Sequence, residues 1–305
     1  MPISHLLLIV FINLIWGINF IFTKLVFDQL PPVLFAALRF GVILVILLPL
    51  LRPARGQMGL ILLTSLCMGA LHFTLIYLGL QRADGVSSVA IASQLFVPFS
   101  TVLSVLLLRE RIGWRRILGI SLAFGGVLII GFDPGALNQL DSLAFVAAGA
   151  LIAALGAIFM KRIKDVGVFQ LQAWMAAISA PILFLSSAVL ETGQWAALTG
   201  ADAKAWAILV FSALGASLLG HGGMFWLLQR HDVSLISPTT LLSTVFGVAL
   251  GIGFLGEVLT IRMLIGGLLA LGGVLMIALR QPRRGPPPVL SQTTVVPARS
   301  SDQTP

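Results

Sequence analysis

Arg39 stands in the run FAALRFGVILVILL, where no other ionisable group is present, and that setting is the first chemical statement the sequence makes. A guanidinium held away from water is costly and is kept where it performs a task. At about 1.5 Å per helical residue, Arg39 lies roughly 12 Å below the helix start at Pro31. Two tasks fit. It captures a substrate carboxylate from a central cavity as a bidentate pair, or it clamps helix-end carbonyls or Gln94, which lies at similar depth. The eleven acidic residues make the opposite statement, because none falls near the centre of an apolar run. An exchanger of cationic drugs for protons needs a buried carboxylate, so that class is disfavoured and a carboxylated substrate is favoured.

Two histidines lie within other apolar runs. His72 and His221 precede the matching pairs Gln81-Arg82 and Gln229-Arg230 by nine and eight residues. Each could relay protons near neutral pH or donate hydrogen bonds to a substrate, and each could equally be a satisfied packing residue. Trp16 sits near the middle of the first run, with Asn13 and Asn19 about one turn to either side. Aromatic belts occupy membrane interfaces, so this indole either lines a cavity and stacks on a substrate ring or packs between helices. Tyr77 and Trp174 are weaker cavity candidates, nearer an interface. Pro98, with Gln94 before it, and Pro238 with Thr239 bend equivalent segments, and the kinks free carbonyls for ligand binding or gating. Glu110 and Glu257 close equivalent segments beside arginines, as salt-bridged turns or as gating pairs. Cys67 is the sole cysteine, which excludes an internal disulfide and disfavours a zinc or iron–sulfur site. No Ser-His pair, aspartate dyad or metal-ligand cluster is visible. The expectation is no catalytic residue, no metal and no cofactor, with an intramembrane enzyme disfavoured.

The elements that must hold these residues follow from composition. Hydrophobic residues make up 58% of the chain and charged ones 10%, and the mean hydropathy is +1.04, far outside the range of soluble domains. The solvent is lipid. The formal charge of +8 serves topology rather than nucleic acid, because the basic residues sit in short loops and a tail. Spanning takes about 20 apolar residues, and such runs are placed at 5–26, 31–51, 58–80, 86–108, 112–132, 142–160, 169–190, 204–228, 234–255 and 259–280. Run length and the lack of strict alternation exclude a β-barrel. The first run begins by His5 without a basic n-region or small-residue cleavage site, so it reads as a span rather than a removable signal. Fourteen of the nineteen Lys and Arg fall on one set of alternating loops and four on the other, which puts both termini in the cytoplasm. Residues 281–305, rich in Pro, Ser and Thr, read as a disordered cytoplasmic tail.

An internal repeat organises the spans. Gln81-Arg82-Ala83-Asp84 recurs as Gln229-Arg230-His231-Asp232, and Val86-Ser87 as Val233-Ser234. Glu110 matches Glu257, Gly119 matches Gly266, and Gly125-Gly126 matches Gly272-Gly273. The halves are 5–132 and 142–280. Five spans per half invert the second relative to the first. The predicted fold is therefore an all-α integral membrane protein of ten transmembrane helices in two inverted five-helix repeats. The paired glycines read as helix-packing sites, since no strand or P-loop lysine accompanies them.

Several of these pieces resemble the EamA-domain family of the drug/metabolite transporter superfamily: Trp16-Gly17-Ile18-Asn19-Phe20, Pro31-Pro32 followed by Leu38-Arg39-Phe40, Arg109-Glu110-Arg111-Ile112, and Gly256-Glu257-Val258-Leu259. The resemblance covers residues 5–280. It implies a bacterial inner-membrane carrier, commonly an exporter of amino acids or related metabolites, with aromatic and cysteine-like substrates nearest in kind. The family keeps an arginine at the position of Arg39 across unlike substrates, which favours an architectural role. The expected function is export by alternating access through a cavity between the repeats. An uncoupled facilitator or a multidrug efflux carrier is the alternative. The expected partners are a small-molecule substrate and the lipid bilayer, without nucleic acid, and the expected state is a monomer or weak homodimer.

Overall fold

The computed structural model describes residues 2–108, 113–131, 140–228 and 237–278. Every regular element among them is helical. In a bilayer the backbone must satisfy its own hydrogen bonds, and continuous apolar runs do so as helices. The first five are α1 (Ile3–Val26), α2 (Pro32–Leu47), α3 (Met58–Arg82), α4 (Val86–Leu107) and α5 (Trp114–Gly131). The second five are α6 (Leu140–Met160), α7 (Val168–Leu190), α8 (Ala203–Met224), α9 (Leu241–Leu255) and α10 (Ile261–Ala278). Seven of these, α1 to α4 and α6 to α8, are long and apolar enough to cross a membrane, whereas α5, α9 and α10 contain shorter apolar segments. A short helix, Gln194–Gly200, joins α7 to α8 and has no counterpart in the predicted spans.

Local sequence explains several boundaries. Pro32 starts α2 at the first helical position, where its missing N–H costs nothing. Helix α4 is interrupted at Gln94–Leu95, four residues before Pro98, where the missing N–H and the ring break the ladder. In the second half a 3₁₀ turn, Ser237–Thr240, leads into α9. Helices α3 and α8 each contain a stretch of π-helix, Leu66–Leu71 and Ser212–His221.

The packing is organised about a two-fold axis between the halves. Helix α2 packs on α7, and α5 on α10, so each of these pairs is its own counterpart when the halves are exchanged. Off the axis, α1 packs on α9 as α6 packs on α4, and α8 packs on α1 as α3 packs on α6. Within α5 and α10 the contacts run antiparallel: a Cβ on Gly126 would lie 2.4 Å from the Gly266 carbonyl oxygen, and one on Gly273 would lie 2.5 Å from that of Gly119. Antiparallel pairing of equivalent helices is what a dyad in the membrane plane produces. Outward faces are apolar, with Leu185, Val189 and Phe254 more than half exposed, as a lipid-facing surface requires.

Candidate functional site

Helix α2 buries Arg39 to 3% exposure between α3 and α8. Its Nε donates to Ser217 Oγ at 2.7 Å and its Nη1 donates to the Tyr77 hydroxyl. The guanidinium carbon stands 4.8 Å from the centre of the Phe73 ring, a cation–π distance. Aromatic neighbours fix these partners in turn: Tyr77 packs against Phe27, Phe35 and Phe73, and Phe73 against Phe40. Among the described residues no carboxylate pairs with Arg39; its hydrogen-bond partners are two neutral hydroxyls. The expected clamp on Gln94 is not present, because Gln94 donates instead to Thr244 Oγ1 at 2.6 Å, joining α4 to α9. Nor, among the described residues, does Arg39 bond a helix-end carbonyl.

One residue before Ser217, the Ala216 carbonyl accepts from Trp16 Nε1 at 3.0 Å and contacts His221 Nδ1 at 3.0 Å. The two rings lie 5.3 Å apart, tilted by 56°. The π-helical stretch of α8 therefore gathers Arg39, Trp16 and His221 through two consecutive residues. A carbonyl oxygen only accepts, so Nδ1 of His221 carries the hydrogen and Nε2 is left for another partner. His72 Nδ1, by contrast, contacts a carbonyl of another helix, that of Gly149 on α6 at 2.9 Å. Both imidazoles are within electrostatic reach of Arg39. On α8, Ala207, Val210 and Leu219 are exposed, and His221 is exposed as well. It stands four residues beyond Ser217, the residue that meets Arg39.

The remaining candidates lie elsewhere. Asn13 is fully buried and donates to the Ile9 carbonyl in its own helix at 2.8 Å, while its Oδ1 and that of Asn19 are buried without a partner. Trp174 Nε1 donates to the Arg52 carbonyl at 2.9 Å, pinning α7 to the segment after α2. Pro98 is buried in α4 and Thr239 half-buried in the 3₁₀ turn. Glu257 turns toward α4, accepting from the Val86 and Ser87 backbone N–H groups. Glu110 and the side chain of Pro238 lie outside the described residues. Ser217 and Phe73 escaped the sequence reading, because a serine and a phenylalanine in apolar helices carry no signal until a third helix brings Arg39 to them.

Comparison with known proteins agrees with this architecture. The model of the EamA-like transporter family matches residues 3–132 and 142–279, one match to each half. A "Probable amino-acid metabolite efflux pump" of Salmonella typhimurium is 30% identical over 274 residues, covering 85% of this chain and 90% of that protein. A protein of the same description from Escherichia coli is 27% identical over 270 residues, with the same coverage, and an uncharacterized transporter of Bacillus subtilis is 27% identical over 281 residues, covering 88% and 94%. A crystal structure with 17% identity superposes with a TM-score of 0.63 over 90% of this chain and 96% of its own, a likeness of fold. With both halves matched and the paired helical architecture in place, the chain belongs to the EamA-like transporter family.

Proposed function

We propose that this protein exports small carboxylated metabolites, amino acids foremost, through the interior bounded by α1, α2, α3 and α8. Its ten apolar helices serve as ten crossings, with both termini in the cytoplasm of a bacterial cell, and its two halves exchange conformations to open the interior to either side. The observation that carries the proposal is Arg39, a buried cation that among the described residues meets hydroxyls and an aromatic face but no carboxylate. A buried charge without a counter-ion is costly, and a substrate carboxylate supplies the missing partner through the guanidinium fork. Two relatives described as amino-acid metabolite efflux pumps support the substrate class. Beside Arg39, the Trp16 indole and the His221 imidazole offer an apolar face and a hydrogen-bonding edge to the rest of the molecule.

The test is counterflow in proteoliposomes. Liposomes preloaded with an unlabelled amino acid should transiently accumulate the labelled compound from outside. Uptake without counterflow would favour a channel-like facilitator, and chemical conversion of the substrate would overturn transport.

A further inference from the structure

We propose that Lys24 and Glu257 form a latch that holds the α3–α4 hairpin shut at one membrane face, and that this latch must open in each transport cycle. The proposal rests on the alternating-access reading above.

The hairpin is gripped from both sides. From α1, the Lys24 ammonium donates to the carbonyls of Leu80 at 3.0 Å, Gln81 at 3.1 Å and Ala83, occupying the acceptors that the end of α3 leaves open. From the end of α9, the Glu257 carboxylate accepts from the Val86 N–H, from the Ser87 N–H at 3.1 Å and from the Ser87 hydroxyl, occupying the donors that the start of α4 leaves open. Lys24 also lies within electrostatic reach of the acidic groups of Asp28, Asp84 and Glu257. Closure is tight: a Cβ on Gly85 would lie 2.6 Å from the Glu257 carboxyl carbon, so the carboxylate seats against the backbone only because residue 85 is glycine.

Position separates this contact from an ordinary cap. Glu257 belongs to the second half and the hairpin to the first, so the bond crosses between the moving bodies. It lies away from the α2·α7 and α5·α10 pairs, which surround the axis and map onto themselves when the halves exchange. An off-axis contact between the halves at one face is not preserved by that exchange. Its ligands are neutral N–H and O–H groups and its carboxylate is half-buried at a helix end, so water can replace them when the hairpin swings away. The sequence carries the same parts once more, Glu110 with Val233-Ser234.

The experiment uses the full chain with Cys67→Ala and Ser88→Cys, which places one thiol on α4 directly beneath the latch, at a residue that is buried in the closed form. The protein is reconstituted in liposomes and a membrane-impermeant maleimide is added. Glu257→Gln should speed labelling about tenfold, the consequence of weakening the closed form by about 1.4 kcal/mol. Ser87→Ala, which removes one donor, should shift it the same way by less. Thr199→Ala, which removes a hydroxyl bonded only within its own helix, should not move it. Unchanged labelling in both Glu257→Gln and Ser87→Ala, with the protein folded, would overturn the latch. Labelling needs no substrate, so faster labelling without amino acid counterflow would refute the proposed function and keep the latch.

Discussion

Replacing Arg39 by lysine preserves the positive charge while removing the planar fork, and so isolates what the guanidinium geometry contributes. Ser217 and Tyr77 hold Nε and Nη1, and Phe73 covers one face. The other N–H groups sit on Nη1 and Nη2, and a carboxylate accepting one from each would take two parallel bonds. Each charge-assisted bond is worth about 1.5–3 kcal/mol, and an ammonium at the end of a flexible stem recovers about one of them. The expected loss is about 2–3 kcal/mol, or roughly 30- to 150-fold in affinity. The assay is competition of counterflow by an amino acid and by its carboxamide, which differ only in the group that Arg39 recognises. Arg39→Lys should raise the half-inhibiting concentration of the acid by that factor and leave the amide nearly unchanged, collapsing the preference between them. An equal loss for both compounds, together with a lowered unfolding temperature, would refute carboxylate recognition and make Arg39 a strut between α2, α3 and α8.

Other consequences follow from particular contacts. Gly126→Ala and Gly273→Ala should each cost about 1–3 kcal/mol by forcing α5 and α10 apart, whereas Gly125→Ala and Gly272→Ala, with nothing within 4 Å, should be nearly neutral in thermal unfolding in detergent. Glu191 accepts from the Val33 and Leu34 N–H groups at 2.7 and 3.0 Å, so Glu191→Ala should lower stability by about 1–2 kcal/mol without altering substrate preference. Asp202 accepts from the Ala205 N–H at 2.8 Å, and that bond first, then the Gln29 side chain, holds its carboxyl below the usual carboxylate range. A lowered folded-state pKa stabilises the first turn of α8 above the ordinary carboxylate pKa, and this is lost as pH falls through the lowered value. The protection factor of the Ala205 amide should fall over that acid range, and Asp202→Asn should remove that pH dependence of protection.

The helices were legible because lipid leaves a backbone few choices: the run predicted at 86–108 appears as Val86–Leu107, and the run at 142–160 as Leu140–Met160. The repeat was legible too, since Gly126 and Gly273 occupy equivalent places in the packed pair. Which glycine of each pair makes the contact was not legible, because adjacent residues on a helix face directions about 100° apart and only the partner helix decides between them. The same holds for the site. Arg39 declared itself by its cost in an apolar run, but its partners came from α3 and α8, 38 and 178 residues along the chain, and the predicted neighbour Gln94 went to Thr244 instead. The π-helical stretch that gathers Trp16, His221 and Arg39 around Ala216 and Ser217 left no mark in composition. Sequence by itself determined where the apolar runs lie, how they repeat and that one cation must be kept out of water, because those depend on local hydropathy; seven of the helices are long enough to cross and three hold shorter apolar segments. What surrounds that cation, and which glutamate crosses between the halves, was decided only by tertiary structure, because it depends on how helices distant in sequence rotate and pack.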